Sequence, residues 1–328
     1  MSKKLVVGAS GFLGSHVTKA LVAAGQDVRV LVRPTSNTES IDHLKLELVH
    51  GNVLDSTSLE KAMNGCESVY YCVVDTRAWL QDPTPLYRVN VDGLRNTMDA
   101  FLARGAGKFM FTSTFGTLGR RCDGPSTEAD AFNWWEDAPE YIRCRVVAEN
   151  LFMEYCRDKG LPGVACCVGN TYGPGDVGPT PHGNLVRLAA QGRLPVFWDG
   201  GGPSLGIEDA ARGMILAEQR GRIGERYVFA QRWVSFKELL TLAATSGGRR
   251  PPWIRVPIPV LDGIAKITER VCRFLNLESV VTASSIKCAR MLPNVKCEKA
   301  ERELEWIPSP VEQSVHKAVD YYLNRMPL

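Results

Sequence analysis

Apolar residues follow two spacings along the first 170 positions, and the two alternate. Unbroken apolar runs stand at 4–8 (KLVVG), 27–33 (DVRVLVR), 46–53 (LELVHGNV), 68–74 (SVYYCVV), 108–114 (KFMFTST) and 163–170 (GVACCVGN). Their length and apolar continuity predict strands buried on both faces. Between them, apolar residues recur every three or four positions at 10–25, 58–65, 86–105 and 139–160. Each of these stretches stops at a glycine, which predicts helices. Alternating strands and helices predict an α/β fold with a doubly wound parallel sheet.

Beyond residue 170 the pattern loosens. Residues 171–183 (TYGPGDVGPTPHG) are rich in Gly and Pro and predict a loop. Helical spacing returns at 184–194, at 204–221 after a strand end, and at 235–247 behind a Ser235 cap. Residues 226–230 (RYVFA) predict one more strand. The prolines of 251–260 forbid a helix there. The stretch 258–275 is amphipathic at helical spacing. It can lie on a membrane surface, but a helix packed on the protein's own core is the expectation. The layout is thus a sheet domain over 1–170, with a return segment at about 205–230. A smaller, mostly helical substrate-binding part is expected over 171–204 and 231–328.

Composition narrows the partners. The formal charge is +3 from 39 basic and 36 acidic side chains, too balanced for a nucleic-acid surface. No apolar stretch is long enough to span a bilayer, and the basic N-terminus MSKKLVVGASGFLG has too short an apolar run for a secretory signal. Ten cysteines are scattered without CxxC or zinc spacing, so no metal site is expected. They read as reduced core residues of a cytoplasmic protein. No membrane partner is expected.

The stretch GASGFLG places glycines at 8, 11 and 14 between a strand and a helix. Gly8 allows the tight turn, Gly11 lets backbone approach a pyrophosphate, and Gly14 permits close helix–strand packing. The helix start offers free N–H groups to phosphate. A plain glycine turn is the alternative, but strand, helix and spacing together favour a Rossmann-type dinucleotide site. The GxxGxxG spacing resembles short-chain dehydrogenases/reductases. The segments GASGFLGSH, GNVLD, NVDGLRNTMDA, FTSTFGTLG, Y…R…AEN, GNTYGPGD and EKAERELEW follow the order of its extended branch, the NAD(P)-dependent epimerase/dehydratase family. The text looks most like dihydroflavonol reductase-type carbonyl reductases.

That resemblance implies cofactor contacts at Gly8, Ser10, Gly11, Phe12, Leu13 and Gly14, at Asn52 and Val53 near the adenine, and at Val73, Val168 and Asn170. Asn52 stands where the family usually has aspartate. The end of the second predicted strand, VRVLVRPTSN, carries no acid to accept from the adenosine ribose. Arg33, helped by Ser36, is instead placed to clamp a 2′-phosphate, so NADP is expected rather than NAD.

The family moves a hydride beside the nicotinamide while a tyrosine passes the proton. By register, the resemblance puts the catalytic hydroxyl at Thr114, with Ser113 its neighbour, and the family asparagine at Asn90. Each has a plain alternative: a threonine ending a strand, and a helix-start residue. A literal YxxxK exists from Tyr155 to Lys159, but it lies about 20 Å along the helix from the end where the family keeps its tyrosine. Tyr141, after Pro139, is at the correct end, and Arg145 stands where the family has lysine. The pair shares a helix face. Arginine keeps the charge that stabilises tyrosinate but changes the ribose contact, because a planar fork is not a point donor. Tyr141 and Arg145 are therefore expected both to act in catalysis and to hold the cofactor. Slowed chemistry, an altered ribose geometry, or cofactor binding without turnover stay open.

Trp134 and Trp135 precede the tyrosine, and with Thr114 and Asn170 they are the expected substrate contacts. An aromatic pocket suits an apolar ketone or aldehyde; packing of a lid is the alternative. The stretch 197–209 (FWDGGGPSLGIED) holds no cation for a sugar-nucleotide diphosphate, although Arg187 and Arg193 are near. The leading expectation is NADPH-dependent carbonyl reduction of a small molecule. A nucleotide-sugar epimerase/dehydratase, a hydroxysteroid-type dehydrogenase and an NADP-binding sensor without turnover are the alternatives. Extended family members are often homodimers.

Overall fold

The computed structural model describes residues 3–104, 107–274, 287 and 292–325. The chain runs β1 (Lys3–Val7), α1 (Phe12–Ala23), β2 (Asp27–Val32), β3 (Glu47–His50), α2 (Ser56–Met63), β4 (Cys66–Tyr71), α3 (Thr84–Tyr87), α4 (Gly93–Arg104), β5 (Phe109–Thr114), α5 (Glu140–Asp158) and β6 (Gly163–Val168). It continues with β7 (Asn170–Tyr172), α6 (Pro181–Ala190), β8 (Val196–Phe197), β9 (Gly201–Gly206), α7 (Ile207–Arg220), β10 (Arg226–Phe229) and β11 (Arg232–Ser235). Then come α8 (Phe236–Ser246), β12 (Ile254–Arg255), α9 (Ile258–Phe274), α10 (Glu298–Leu304) and α11 (Val311–Arg325).

Seven parallel strands form one sheet in the order β10-β6-β5-β4-β1-β2-β3. The order reverses between β1 and β4, and such a switch point opens a crevice at the carboxyl ends of the strands. The continuous apolar runs follow from burial on both faces. Leu5, Val7, Tyr71, Phe109 and Phe111 pack under α2, α4 and α5. Their neighbours Val6, Tyr70 and Met110 pack under α1, α7 and α10. The period of two along each strand sorts the side chains between the layers.

The C-terminal part has its own core, built from α6, α8 and α11 around Val186, Leu240, Val315 and Val319. It is less purely helical than its sequence suggests. β7, β9 and β11 make a three-stranded sheet, and β8 pairs with β12. Ser235 caps α8 as expected, its hydroxyl accepting from Glu238 N at 3.1 Å. Tyr322 of α11 donates to Asp176 at 2.8 Å, and the same carboxylate accepts from Thr180 N and Oγ1, each at 2.9 Å. The last helix thereby ties the loop after β7 to the start of α6.

Two local features depart from the sequence expectation. The stretch 86–105 is not one α-helix: a π turn over Arg88–Asp92 separates α3 from α4, and such wide turns cluster at functional sites. Packing on the protein's own core is the expectation for 258–275, yet among its described side chains, which end at Thr268, Val260, Ile264 and Ile267 are exposed and Ala265 is buried. Cys288 and the side chain of Cys272 lie outside the described residues. Cys166 and Cys167 are buried, unbridged strand residues. No described helix is long and apolar enough to cross a membrane.

The glycine loop is closed by backbone contact. A Cβ on Gly14 would stand 2.2 Å from Gly8 O, and one on Gly8, at φ +88°, would stand 2.9 Å from Val73 Cγ2. Gly14→Ala should therefore destabilise the fold by about 1–3 kcal/mol, the usual range for overpacking against an immovable neighbour. Urea unfolding checks this through a lower midpoint at unchanged slope.

Candidate active site

The residues singled out in the sequence gather along the carboxyl edge of the main sheet. At the β1 end, Gly11 caps α1 without a side-chain bond and its N–H turns back to Gly8 O at 3.0 Å. Ser10, Phe12 and Leu13 are half-buried and Gly14 is buried. Ser15 N donates to Gly11 O, which starts the helix. Ahead of that first turn the backbone N–H groups have no helical acceptor, the arrangement that suits a phosphate. His16 anchors the same helix across the crevice, its Nε2 donating to Pro174 O at 2.8 Å, and burial lowers its pKa.

At the ends of β2 and β3 the surroundings are open. Arg33 is exposed, and its side chain makes no hydrogen bond or ion pair among the described residues. It opens a turn closed by Ser36 N donating to Arg33 O at 2.9 Å. Asn52 is exposed, and its side chain accepts from Leu54 N at 3.0 Å. Val53, buried at 7% exposure, packs beneath it.

Asn90 sits in the π turn, wholly buried. Its Oδ1 accepts from Asp75 N at 2.9 Å and its Nδ2 donates to Asp75 O at 3.0 Å and toward Cys144 Sγ at 3.8 Å. Both ends of the amide are thus engaged, clamping the segment after β4 against α5. Burial pushes the neighbouring Cys144 thiol up to about 11, so it stays neutral.

Thr114 ends β5, half-buried, its Oγ1 accepting from Gly116 N at 3.3 Å. Gly116 has a steric reason: a Cβ there would meet Ile142 Cδ1 at 2.9 Å and Leu292 Cδ2 at 3.0 Å. The first turn of α5, with Tyr141 beside Ile142, is therefore drawn close to the end of β5. Tyr141 is half-buried and packs with Trp134, Ala138 and Ile142. The literal YxxxK lies at the other end of α5. Tyr155 donates to Asp99 at 2.8 Å, and Lys159 sits 3.8 Å over its ring.

Arg145 is 1% exposed. Its Nη2 donates to Thr112 O, and its guanidinium lies 5.3 Å from the centre of the Phe111 ring. Nε and Nη1 are buried with no acceptor. A cation with two unanswered nitrogens in a core is costly. Glu149, one turn further on the same face, does not answer it. Its carboxylate accepts from Arg226 at 3.0 Å and Thr117 at 2.9 Å, and also from Ser113. Arg226 reaches on to Glu128 O and to Asp130 O at 3.5 Å, pinning the loop that leads to α5. Glu149 and Arg226 received no role from the sequence. An acid on the core-facing stripe of an amphipathic helix was the available signal; its partner, 77 residues away, had none.

The two tryptophans differ. Trp134 is buried, its Nε1 donating to Leu118 O at 3.1 Å beneath the Arg120 guanidinium, and it packs with Ile142 and Val146, which fastens the loop to α5. Trp135 is 42% exposed. At the ends of β6 and β7, Val168 is buried and Asn170 lies against Gly202, where a Cβ would stand 2.5 Å from Asn170 Nδ2.

The chain as a whole is similar to known proteins. Residues 4–230 match the NAD dependent epimerase/dehydratase family. A "Putative dihydroflavonol 4-reductase" of Synechocystis is 26% identical over 324 residues, covering 97% of this chain and 94% of the relative. "Sterol demethylase protein B" of Methylococcus capsulatus is 27% identical over 324 residues, covering 98% of each. The crystal structure of gox2253 superposes with a TM-score of 0.88 at 30% identity, covering 100% of both chains.

Removing one member of the buried Glu149–Arg226 pair leaves the other charge uncompensated. Glu149→Ala should cost about 3–5 kcal/mol, and Glu149→Gln less, because the amide oxygen still accepts. Paired denaturant curves for the two variants test the order.

Proposed function

The chain belongs to the NAD dependent epimerase/dehydratase family, whose members are NAD(P)-dependent enzymes on this fold, and on that premise we propose that it reduces an apolar or aromatic ketone or aldehyde to the alcohol with NADPH. One observation carries the reading: the unanswered Nε and Nη1 of Arg145, four residues after Tyr141. Both nitrogens are closed to solvent, so they would meet the hydroxyls of a nicotinamide ribose only once the Arg145 side chain turns out from Thr112 O. Bound there, the dihydronicotinamide supplies the hydride.

Tyr141 gives its phenolic proton to the carbonyl oxygen, and the Thr114 hydroxyl donates to the same oxygen. Arg145 holds a permanent positive charge near Tyr141, which favours tyrosinate and so eases the transfer. It passes no proton itself, since a guanidinium does not deprotonate. Asn90 acts through position, clamping the segment after β4. Gly8 to Gly14, Val73 and Val168 form the cofactor bed, with Asn52 and Val53 at the adenine end. The two-part layout, a cofactor domain over 1–170 with its return segment and a substrate part from the rest, belongs to the same reading.

Substrate choice follows from what stays accessible. Trp135 and Asn170 face the substrate, whereas Trp134 supports the loop that carries Trp135. The sugar-nucleotide alternative is weaker. Of the described cations that reach the 197–209 stretch, Arg255 is paired with Asp199 at 2.5 Å, Arg212 with Asp209 at 2.7 Å and Lys317 with Glu208 at 2.5 Å, and Lys237 lies over the Phe197 ring. Arg33, exposed and unpaired among the described residues, supplies the clamp for a 2′-phosphate.

Tyr141→Phe should lower carbonyl reduction by about 10²–10⁴-fold, the usual contribution of a positioned acid, while NADPH binding persists. Arg145→Met should lose more turnover than Arg145→Lys. Consumption of NADPH with aromatic aldehydes and ketones reads both; unchanged turnover in Tyr141→Phe sinks the mechanism, and an epimerase would show no net consumption. Arg33→Ala should weaken NADPH binding about 10–100-fold, as expected for a lost charge-assisted bond, and leave NADH binding unchanged. Cofactor titration by fluorescence separates the two.

A further inference from the structure

Five large apolar side chains lie exposed in one short stretch: Trp253, Ile254, Val260, Ile264 and Ile267, each between 45% and 62% exposed. The last three are spaced four and three apart on α9, so they share one side of the helix. Ala265 is buried and turns to the protein. Trp253 and Ile254 lie just before α9 in the chain, where Ile254 pairs with Val196 and Val256 N donates to Phe197 O at 2.8 Å. Single exposed apolar residues are ordinary, but a contiguous group marks a contact surface.

Charge states what kind of surface. Among the described side chains of 249–268, Arg249, Arg250 and Lys266 stand against Asp262, while Arg255 is already paired with Asp199. Arg249, Arg250 and Lys266 are exposed, and the Arg250 guanidinium lies 4.5 Å from the centre of the Trp253 ring. We propose that this face docks on an anionic lipid surface. The apolar stripe enters the acyl boundary, and the tryptophan and the cations stay at the headgroups. A second copy seated on the same face would set these cations against each other, whereas anionic headgroups answer them. The contact is peripheral, because no described helix spans a bilayer. It reverses the expectation from sequence that α9 packs inward, and it does not depend on the reductase reading.

Flotation of the full chain with phosphatidylcholine vesicles, with and without phosphatidylglycerol, tests it. The bound fraction should rise with phosphatidylglycerol and fall with added salt. Ile264→Glu with Ile267→Glu should lower partitioning at least about ten-fold, with NADPH turnover on a water-soluble aldehyde at the wild-type level. Arg249→Ala with Arg250→Ala should weaken binding and flatten the salt dependence, a result that stands even where the glutamate variant fails to fold. Three outcomes overturn the proposal. The wild type does not float with anionic vesicles, the folded glutamate variant floats as well as wild type, or sedimentation finds a wild-type dimer that the glutamates split.

Discussion

A guanidinium closed in between Phe111 and the Thr112 carbonyl needs more than the protein gives it. One hydrogen bond and one ring face answer Arg145, while its Nε and Nη1 nitrogens go without. The surroundings keep it that way. The nearest acid on its helix face, Glu149, is drawn off by Arg226, Ser113 and Thr117. Two opposite charges one turn apart are thus held by different partners instead of neutralising each other. The positive charge stays buried in the second turn of α5, against Phe111 and the Thr112 carbonyl, and the negative one is buried where it braces the end of β5.

Close backbone approach does the rest of the placing. Gly14 lets α1 meet the β1 turn, and Gly116 lets the first turn of α5 approach the strand end at Thr114. The π turn swings Asn90 inward so that it grips Asp75 from both sides. These contacts bring β1, β4, β5 and α5 to one edge, which is where a sheet with this strand order opens its crevice.

Most of this was legible in the sequence because it follows from local period. Alternating apolar runs give the layers, glycines give the turns, and distance along α5 separates Tyr141 from the literal YxxxK at Tyr155. What escaped depends on contacts made across the chain. Trp134 reads as a site aromatic until its indole is seen donating to Leu118 O. The π turn has no periodic signature over five residues. The small strands of the C-terminal part are too short to show alternation. The stripe on α9 announces a helix but not which side of it meets the protein.

The bridge between Glu149 and Arg226 has a bearing on modularity. Arg226 belongs to β10, the edge strand of the cofactor sheet, yet the chain reaches it only after building β7, α6, β8, β9 and α7. A cut near residue 170 would therefore follow chain order and not packing. A recombinant half ending there would keep the glycine loop, Thr114, Tyr141 and Arg145, but would leave a carboxylate stranded in its core and the flank of β6 unpaired. Grafting a new substrate part onto this fold would have to carry the 205–230 segment along with the nucleotide half, as one inherited unit.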